Sequence, residues 1–520
     1  MQARRRAIIA TIAALVASLV LTVPAAGTHG DRGTPPRSVA GAPGVGDPYY
    51  PNYGNGGYQV EHYDLRVRYN PGTDLLRGHA TIHARAKKNL RQFNLDLVGL
   101  TVQSVKVDGR RAGWRRTDHE LIIRPRRKVR SHHGFTVTVR YRGVPETFTI
   151  PGFGIESGFM ATDDGAIVAG QPEVAAFWYP VNDHPIDRAT YTFRVTVPDG
   201  VGVVANGLPR GEHSRRGWTT HVWKASNPMV SYLATINIGD WDERRYDIDG
   251  LPTIDAVDPD LAAVPAVDAS LANQGEILRF LEDSFTTYPF ETVGAIVDDY
   301  ENLFFALETQ TRPVYSRYFF ENGGVEGGNS VIVHELAHQW FGDLVAVQEW
   351  NDIWLNEGFA TYAEWMWAAE QGLADSTQAI FEATYASYPA DDVFWTSQIG
   401  DPGVERLFDA VYDRGAMTLQ ALRNEIGDRA FLRVVRRWIR SQAYGNGDTA
   451  EFIALAERVS HQDLDAFFDL WLFTPERPPA SAVTPADDGG AAAARSLDRV
   501  DRDAQGWVQR RQGLGGAHDH

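Results

Sequence analysis

The chain has no cysteine in 520 residues. That excludes disulfides, thiolate metal ligands, thiol nucleophiles and cysteine-borne lipid anchors. A large core is stable without disulfides, so the absence is compatible with an oxidising compartment. Positive charge is also in deficit: 50 Lys and Arg stand against 67 Asp and Glu, a formal net charge of −17. With no basic field to attract phosphate, nucleic acid is not an expected partner. The basic run Arg124-Pro125-Arg126-Arg127-Lys128-Val129-Arg130 is local and reads as a solvated loop or strand edge. Hydrophobic content of 43% and charged content of 22% are those of a globular protein. The length exceeds one ordinary core and implies two or three domains.

Residues 1–26 read as an export signal. Arg4-Arg5-Arg6 precedes an apolar stretch from Ala7 to Val23, and Pro24-Ala25-Ala26 offers a small-residue cleavage site. The expected destination is secretion; an uncleaved membrane anchor is the alternative, since the stretch approaches the lower limit for spanning a bilayer. Residues 27–57 are rich in Gly, Pro and small polar residues and read as a disordered leader.

From about Tyr58 the sequence alternates with period two. Tyr63–Tyr69, Ala80–Ala86, Leu95–Leu97, Thr101–Val107, Leu121–Arg124, Phe135–Tyr141 and Tyr191–Val197 read as strands. The expected fold is multidomain: an all-β saddle or sandwich over residues 58–254, then an α+β catalytic domain over 255–477. In the second part, Leu271–Phe285, a helix carrying His334 and His338, Asp352–Gln371, Ala410–Ile426, Ala430–Gln442, Thr449–Val459 and Leu464–Leu472 read as helices, and Val293–Val297 as a strand. Residues 478–520, rich in Ala, Gly and Asp, read as a flexible tail.

The chemistry concentrates in His334-Glu335-Leu336-Ala337-His338 and in Asn356-Glu357-Gly358. Histidines four apart share one helix face, so both imidazoles reach one ion. Glu357 lies where a second helix returns to the first. Two imidazoles and a carboxylate leave one position of a tetrahedral Zn2+ open, the catalytic arrangement rather than the closed structural one. A chance H-E-x-x-H with a Glu at that distance is expected in roughly a few per thousand chains of this composition. Asn329 and Ser330 read as the helix N-cap and Gly342 as its stop. Glu335 is placed to act as general base.

These residues resemble the aminopeptidase N and leukotriene hydrolase family of zinc metallopeptidases, the gluzincins. The resemblance rests on His334 to Gly342 followed by Asn356-Glu357-Gly358, and on Phe177-Trp178-Tyr179-Pro180-Val181-Asn182-Asp183-His184-Pro185. It covers about residues 58–475, in a short form without the large carboxy-terminal helical domain of many members. It implies a saddle-shaped β domain followed by a thermolysin-like domain. It also implies further site residues. Tyr412, in Val411-Tyr412-Asp413-Arg414-Gly415, matches a tyrosine that stabilises an oxyanion; by itself it reads as a core aromatic. Phe305-Ala306-Leu307-Glu308-Thr309 stands where the family carries Gly-Ala-Met-Glu-Asn, which makes Glu308 a contact for the substrate's amino group. In Gln171-Pro172-Glu173, Glu173 is the expected second contact and Gln171 the lesser choice. Glu308 and Glu173 also fit plain surface charges. Glu364, two turns beyond Glu357, reads either as a hydrogen-bond partner of a ligand histidine or as a solvated carboxylate.

The implied activity is a secreted zinc aminopeptidase that acts on peptides with a free N-terminus. The rivals are a zinc endopeptidase of thermolysin type, an epoxide hydrolase of the leukotriene branch, and a non-catalytic binding protein on the same fold.

Overall fold

The structure is a computed structural model, and it describes residues 38–149, 155–483 and 502–515. The export signal lies outside the described residues. The described residues belong to one compact unit.

The first half is β-rich, as the alternation requires. Its largest sheet has eight strands in the order Leu208–Ser214, Trp218–Val230, Arg188–Pro198, Tyr58–Asn70, Leu75–Ala86, Gly134–Gly143, Thr101–Val107 and Arg110–Arg111. Tyr58–Asn70 alternates buried and exposed almost without exception, burying Tyr63, Leu65, Val67 and Tyr69. It pairs antiparallel with Leu75–Ala86 and parallel with Arg188–Pro198, with Thr190 opposite His62. A five-stranded sheet runs Thr147–Thr149, Glu156–Ala161, Ala166–Ala169, Ile236–Gly239 and Gly202–Ala205. A four-stranded sheet runs Val39–Ala40, Leu90–Asp96, Glu120–Arg124 and Gly113–Arg116. The basic run beginning at Arg124 is exposed except at Val129 and Pro125, as a solvated strand edge should be.

Two expectations about boundaries are corrected. The expected division at residues 254 and 255 falls inside the strand Leu251–Val257, which pairs parallel with Val293–Asp298. That strand and its hairpin partner Asp242–Ile248 therefore belong to the sheet of the second half, completed by Val314–Ser316. Alternation marks a strand but not the sheet it joins. The leader is not disordered from residue 38 onward. Val39–Ala40 pairs with Leu90 and Gln92, and the Asp47 carboxylate accepts bonds from the Trp350 backbone N–H at 2.9 Å and from Tyr50. The segment straps the β half to the helical half through polar contacts that a hydrophobicity reading does not register.

In the second half, the helices of interest are α1 (Tyr318–His338), α2 (Trp354–Glu370), α3 (Thr377–Ser387), α4 (Asp413–Ile426) and α5 (Arg502–Gly515). The expected helix Leu271–Phe285 is two, Pro265–Leu271 and Gln274–Ser284, broken at Ala272-Asn273. α3 escaped the sequence reading. Helix α5 corrects the flexible tail: Trp507 and Val508 are each only 3% exposed, packed where α5 meets α1 and α3. Trp350, Trp354, Trp365 and Trp367 are buried core, as expected.

Candidate metal centre and active site

α1 does not begin where the sequence suggested. It runs from Tyr318, is interrupted by Gly324 at φ 59°, and passes through Asn329 and Ser330 without a cap there. The Ser330 hydroxyl serves another purpose and donates to the Glu364 carboxylate at 2.5 Å. The helix ends at His338, and Gly342, at φ 130°, follows in the turn beyond.

His334 and His338 project from the last turns of α1, and Glu357 from the first turn of α2. Their donor atoms converge. His334 Nε2 and His338 Nε2 lie 3.4 and 3.2 Å from the same Glu357 oxygen. A tetrahedral zinc with bonds of about 2.0–2.1 Å requires ligand atoms about 3.3 Å apart, so the spacing fits. The other ring nitrogens are engaged away from this point: His334 Nδ1 with Glu364 at 2.8 Å, and His338 Nδ1 with the Phe341 carbonyl at 2.9 Å. Partners of this kind fix the tautomer that presents Nε2 as a ligand. Glu364 is therefore buried and engaged, not solvated.

The convergence depends on two glycines. α2 and α4 cross where a Cβ on Gly415 would lie 2.7 Å from the Gly358 Cα, and a Cβ on Gly358 would lie 2.9 Å from the Gly415 Cα. Only glycine permits backbones this close. The crossing brings Tyr412, immediately before α4, into the wall of the site, its ring 6.0 Å from that of His334. Its place is thus on the cavity, not in the core.

Glu335 and Glu308 are 5% and 2% exposed. Both belong with His338 to a group whose ligand atoms lie within 4.8 Å of one another. Tyr232 donates to Glu308 at 2.8 Å. Gln339, the residue after α1, fastens the Glu308 segment, donating to the Glu308 carbonyl at 3.1 Å and accepting from the Thr311 N–H at 2.8 Å. Burial pushes the Glu335 carboxyl up to about 8, against the pull of His334 and His338. Burial also raises Glu308, again opposed by His338. At Glu357, burial acts upward, but the two histidines prevail and hold it near 2. Burial thus favours the protonated form at Glu335 and Glu308, while the two histidines favour the ionised form at Glu357.

Glu308, Glu335, His334, His338, Glu357, Tyr412 and Gln171 line one cavity of about 570 Å3. Of the two residues expected to meet a substrate's amine, Gln171 lines this cavity and Glu173 does not. Gln171 reaches the cavity and lies 3.4 Å from Glu357, with its Oε1 buried and unpartnered. Glu173 is buried outside the lining, where burial and then Asp183 raise its carboxyl. Charge favoured the glutamate; the turn places the glutamine. The residues that sequence reasoning missed are Arg511 and Gln512 of α5, which line the same cavity. The apolar pair Trp507-Val508 was the available sign that this segment docks.

A two-histidine, one-carboxylate site with a buried glutamate beside it, under a β-rich half, is the design of a zinc metallopeptidase. Residues 59–233 match the peptidase M1 N-terminal domain, and residues 270–471 match the peptidase family M1 domain. The chain is 30% identical to the M1 zinc metallopeptidase of Deinococcus radiodurans, with a TM-score of 0.77 over 85% of this chain and 99% of that one. A variant of the latter, solved with Tyr-Ser-Ala bound, superposes with a TM-score of 0.76. Aminopeptidase N of Streptomyces lividans is 28% identical over 353 residues, which is 63% of this chain and 40% of that protein. The probable aminopeptidase 2 of Sulfurisphaera tokodaii is 25% identical over 79% of this chain and 53% of its own length. The chain thus spans about half the length of these curated relatives. It belongs to peptidase family M1.

Proposed function

We propose that the protein is a zinc aminopeptidase that removes the first residue of peptides bearing a free amino terminus. His334, His338 and Glu357 hold the ion. A bound zinc supplies Lewis-acid polarisation of a carbonyl and acidifies a water molecule. Glu335 accepts the proton released when water attacks and returns it to the departing amine. The Tyr412 phenol donates to the oxyanion that the attacked carbonyl becomes, an interaction stronger in the transition state than in the ground state. Glu308 and Gln171 receive the substrate's ammonium, which fixes the reacting bond one residue in and turns binding into orientation.

The observation that carries this reading is the buried Glu308 carboxylate, grouped with Glu335 and His338 in the lining of the cavity. A buried acid costs stability unless a cation meets it, and a peptide ammonium is such a cation. An endopeptidase, which accepts chain on both sides of the cut, has no use for it. Export by the amino-terminal signal belongs to the same proposal and rests on residues 1–26 alone.

The test is a panel of aminoacyl anilides, free and N-acetylated, with defined zinc. Free substrates should turn over, acetylated ones should turn over far more slowly, and both chelator and Glu335→Gln should abolish turnover while Glu335→Gln retains zinc. Equal rates on the two sets would reject the aminopeptidase assignment.

A further inference from the structure

Helix α5 lies beyond the last residue matched by the family's catalytic domain, yet it reaches the metal centre. Its apolar anchor is Trp507-Val508. Its polar reach is Arg511, whose side chain is only 18% exposed. The guanidinium donates to both Glu364 oxygens, at 3.1 and 3.3 Å, to Asp413 at 2.5 Å and to Thr361 at 3.2 Å. Glu364 is the carboxylate that grips His334 Nδ1, and Asp413 directly follows Tyr412. One side chain of the tail therefore braces α2 and α4 at once, on the far side of a ligand histidine from its metal-facing nitrogen.

Geometry of this kind has a consequence. Glu364 accepts from Ser330, His334 and Arg511 together. A carboxylate held by three donors on two elements cannot swing, and the imidazole it holds cannot turn. Without Arg511, two buried carboxylates, Glu364 and Asp413, would lose the cation between them, and Glu364 would be held from α1 alone, by Ser330 and His334. The neighbouring Arg510 pairs instead with Glu326 at the surface, and so provides a control on the same helix.

We propose that Arg511 is a positioning residue for the metal centre: through Glu364 it locks His334 in its metal-binding orientation, which makes the tail helix a working part of the active site. This rests on the zinc reading above, and the two are separable because wild-type zinc stoichiometry tests that reading by itself.

The experiment is chelator competition for zinc on the full-length protein. Replacement of a partner behind a metal ligand typically costs 10- to 100-fold in affinity. Glu364→Gln should fall in that range, and Arg511→Met, one bond further out, should weaken zinc about tenfold. Arg511→Lys should recover part of the loss, and Arg510→Ala should bind as wild type. In the Glu364→Gln background, Arg511→Met should cause no further loss, because the link it works through is already cut. That last measurement decides the matter even if Arg511→Met releases the helix. Wild-type affinity in Arg511→Met, or additive losses in the double variant, would overturn the proposal.

Discussion

Glu308→Gln tests the amine contact in isolation. Glutamine keeps the size of the side chain and an Oε1 that can still accept from Tyr232 at its present 2.8 Å, so the local packing should survive. What disappears is the negative charge. Burial opposes that charge, and a substrate ammonium beside it restores it, so the interaction is realised only with a free amino terminus. A hydrogen bond to a charged group contributes about 1.5–3 kcal/mol. At about 1.4 kcal/mol per decade, kcat/KM for a free aminoacyl anilide should fall about 10- to 150-fold. Glu308 also repels Glu335 and thereby helps to raise it, so the substitution should weaken the base somewhat for every substrate. The informative quantity is therefore the ratio of free to acetylated kcat/KM, which cancels the shared effect and should fall by the larger factor. An unchanged ratio, with both substrates losing equally, would refute the reasoning and make Glu308 a residue of fold or proton balance only.

Gly415→Ala should place a methyl group against the Gly358 backbone, at a separation no ordinary Cβ contact shows. Overpacking of this kind costs about 1–3 kcal/mol, and because the crossing sets Glu357 against Tyr412, activity should fall along with the midpoint of a urea melt; an unchanged midpoint would mean that the helices part freely. A second expectation concerns pH. Burial raises the Asp298 carboxyl to about 8; the Tyr300 N–H opposes this, and Asp258 and Asp164 add to it. A carboxyl raised on folding contributes stability that is complete below its unfolded value, about 3.9, and is lost as pH rises through the folded value. The stability contributed by this group should therefore decline from about pH 4 towards pH 8, by on the order of a few kcal/mol. Asp298→Asn, which keeps an acceptor for Tyr300, should flatten that decline, and melts across this range that coincide for the two proteins would refute it.

The metal ligands were legible because their constraint is local. His334 and His338 are related by helical period alone, and Glu357 by one helix return, so spacing carries the geometry. The strands of the β half were legible for the same reason, since Tyr63–Tyr69 shows its buried face in every second residue. Gln171 against Glu173 was not legible, because neighbours in a turn differ in direction and not in composition. The hairpin Asp242–Val257 was assigned to the wrong half because strand pairing with Val293–Asp298 is a contact at distance. Helix α5 was missed for a related reason: its docking uses two apolar side chains and one arginine, too few to overcome an Ala, Gly and Asp background in a compositional reading.

The same contrast explains how the site is assembled. Two histidines on one helix define a direction but not a stable ligand set, since each imidazole can rotate about its own bonds. Rotation is removed by groups drawn from elsewhere in the chain: the Phe341 carbonyl for His338, and Glu364 for His334. Glu364 is held in turn from α1 by Ser330 and from α5 by Arg511. The restraints lie at growing separations in sequence: 3 positions from His338 to Phe341, 30 from His334 to Glu364 and 147 from Glu364 to Arg511. Precision at the metal is thus a tertiary property. A fragment ending at the last residue of the matched catalytic domain would keep every ligand and lose one of the restraints on them.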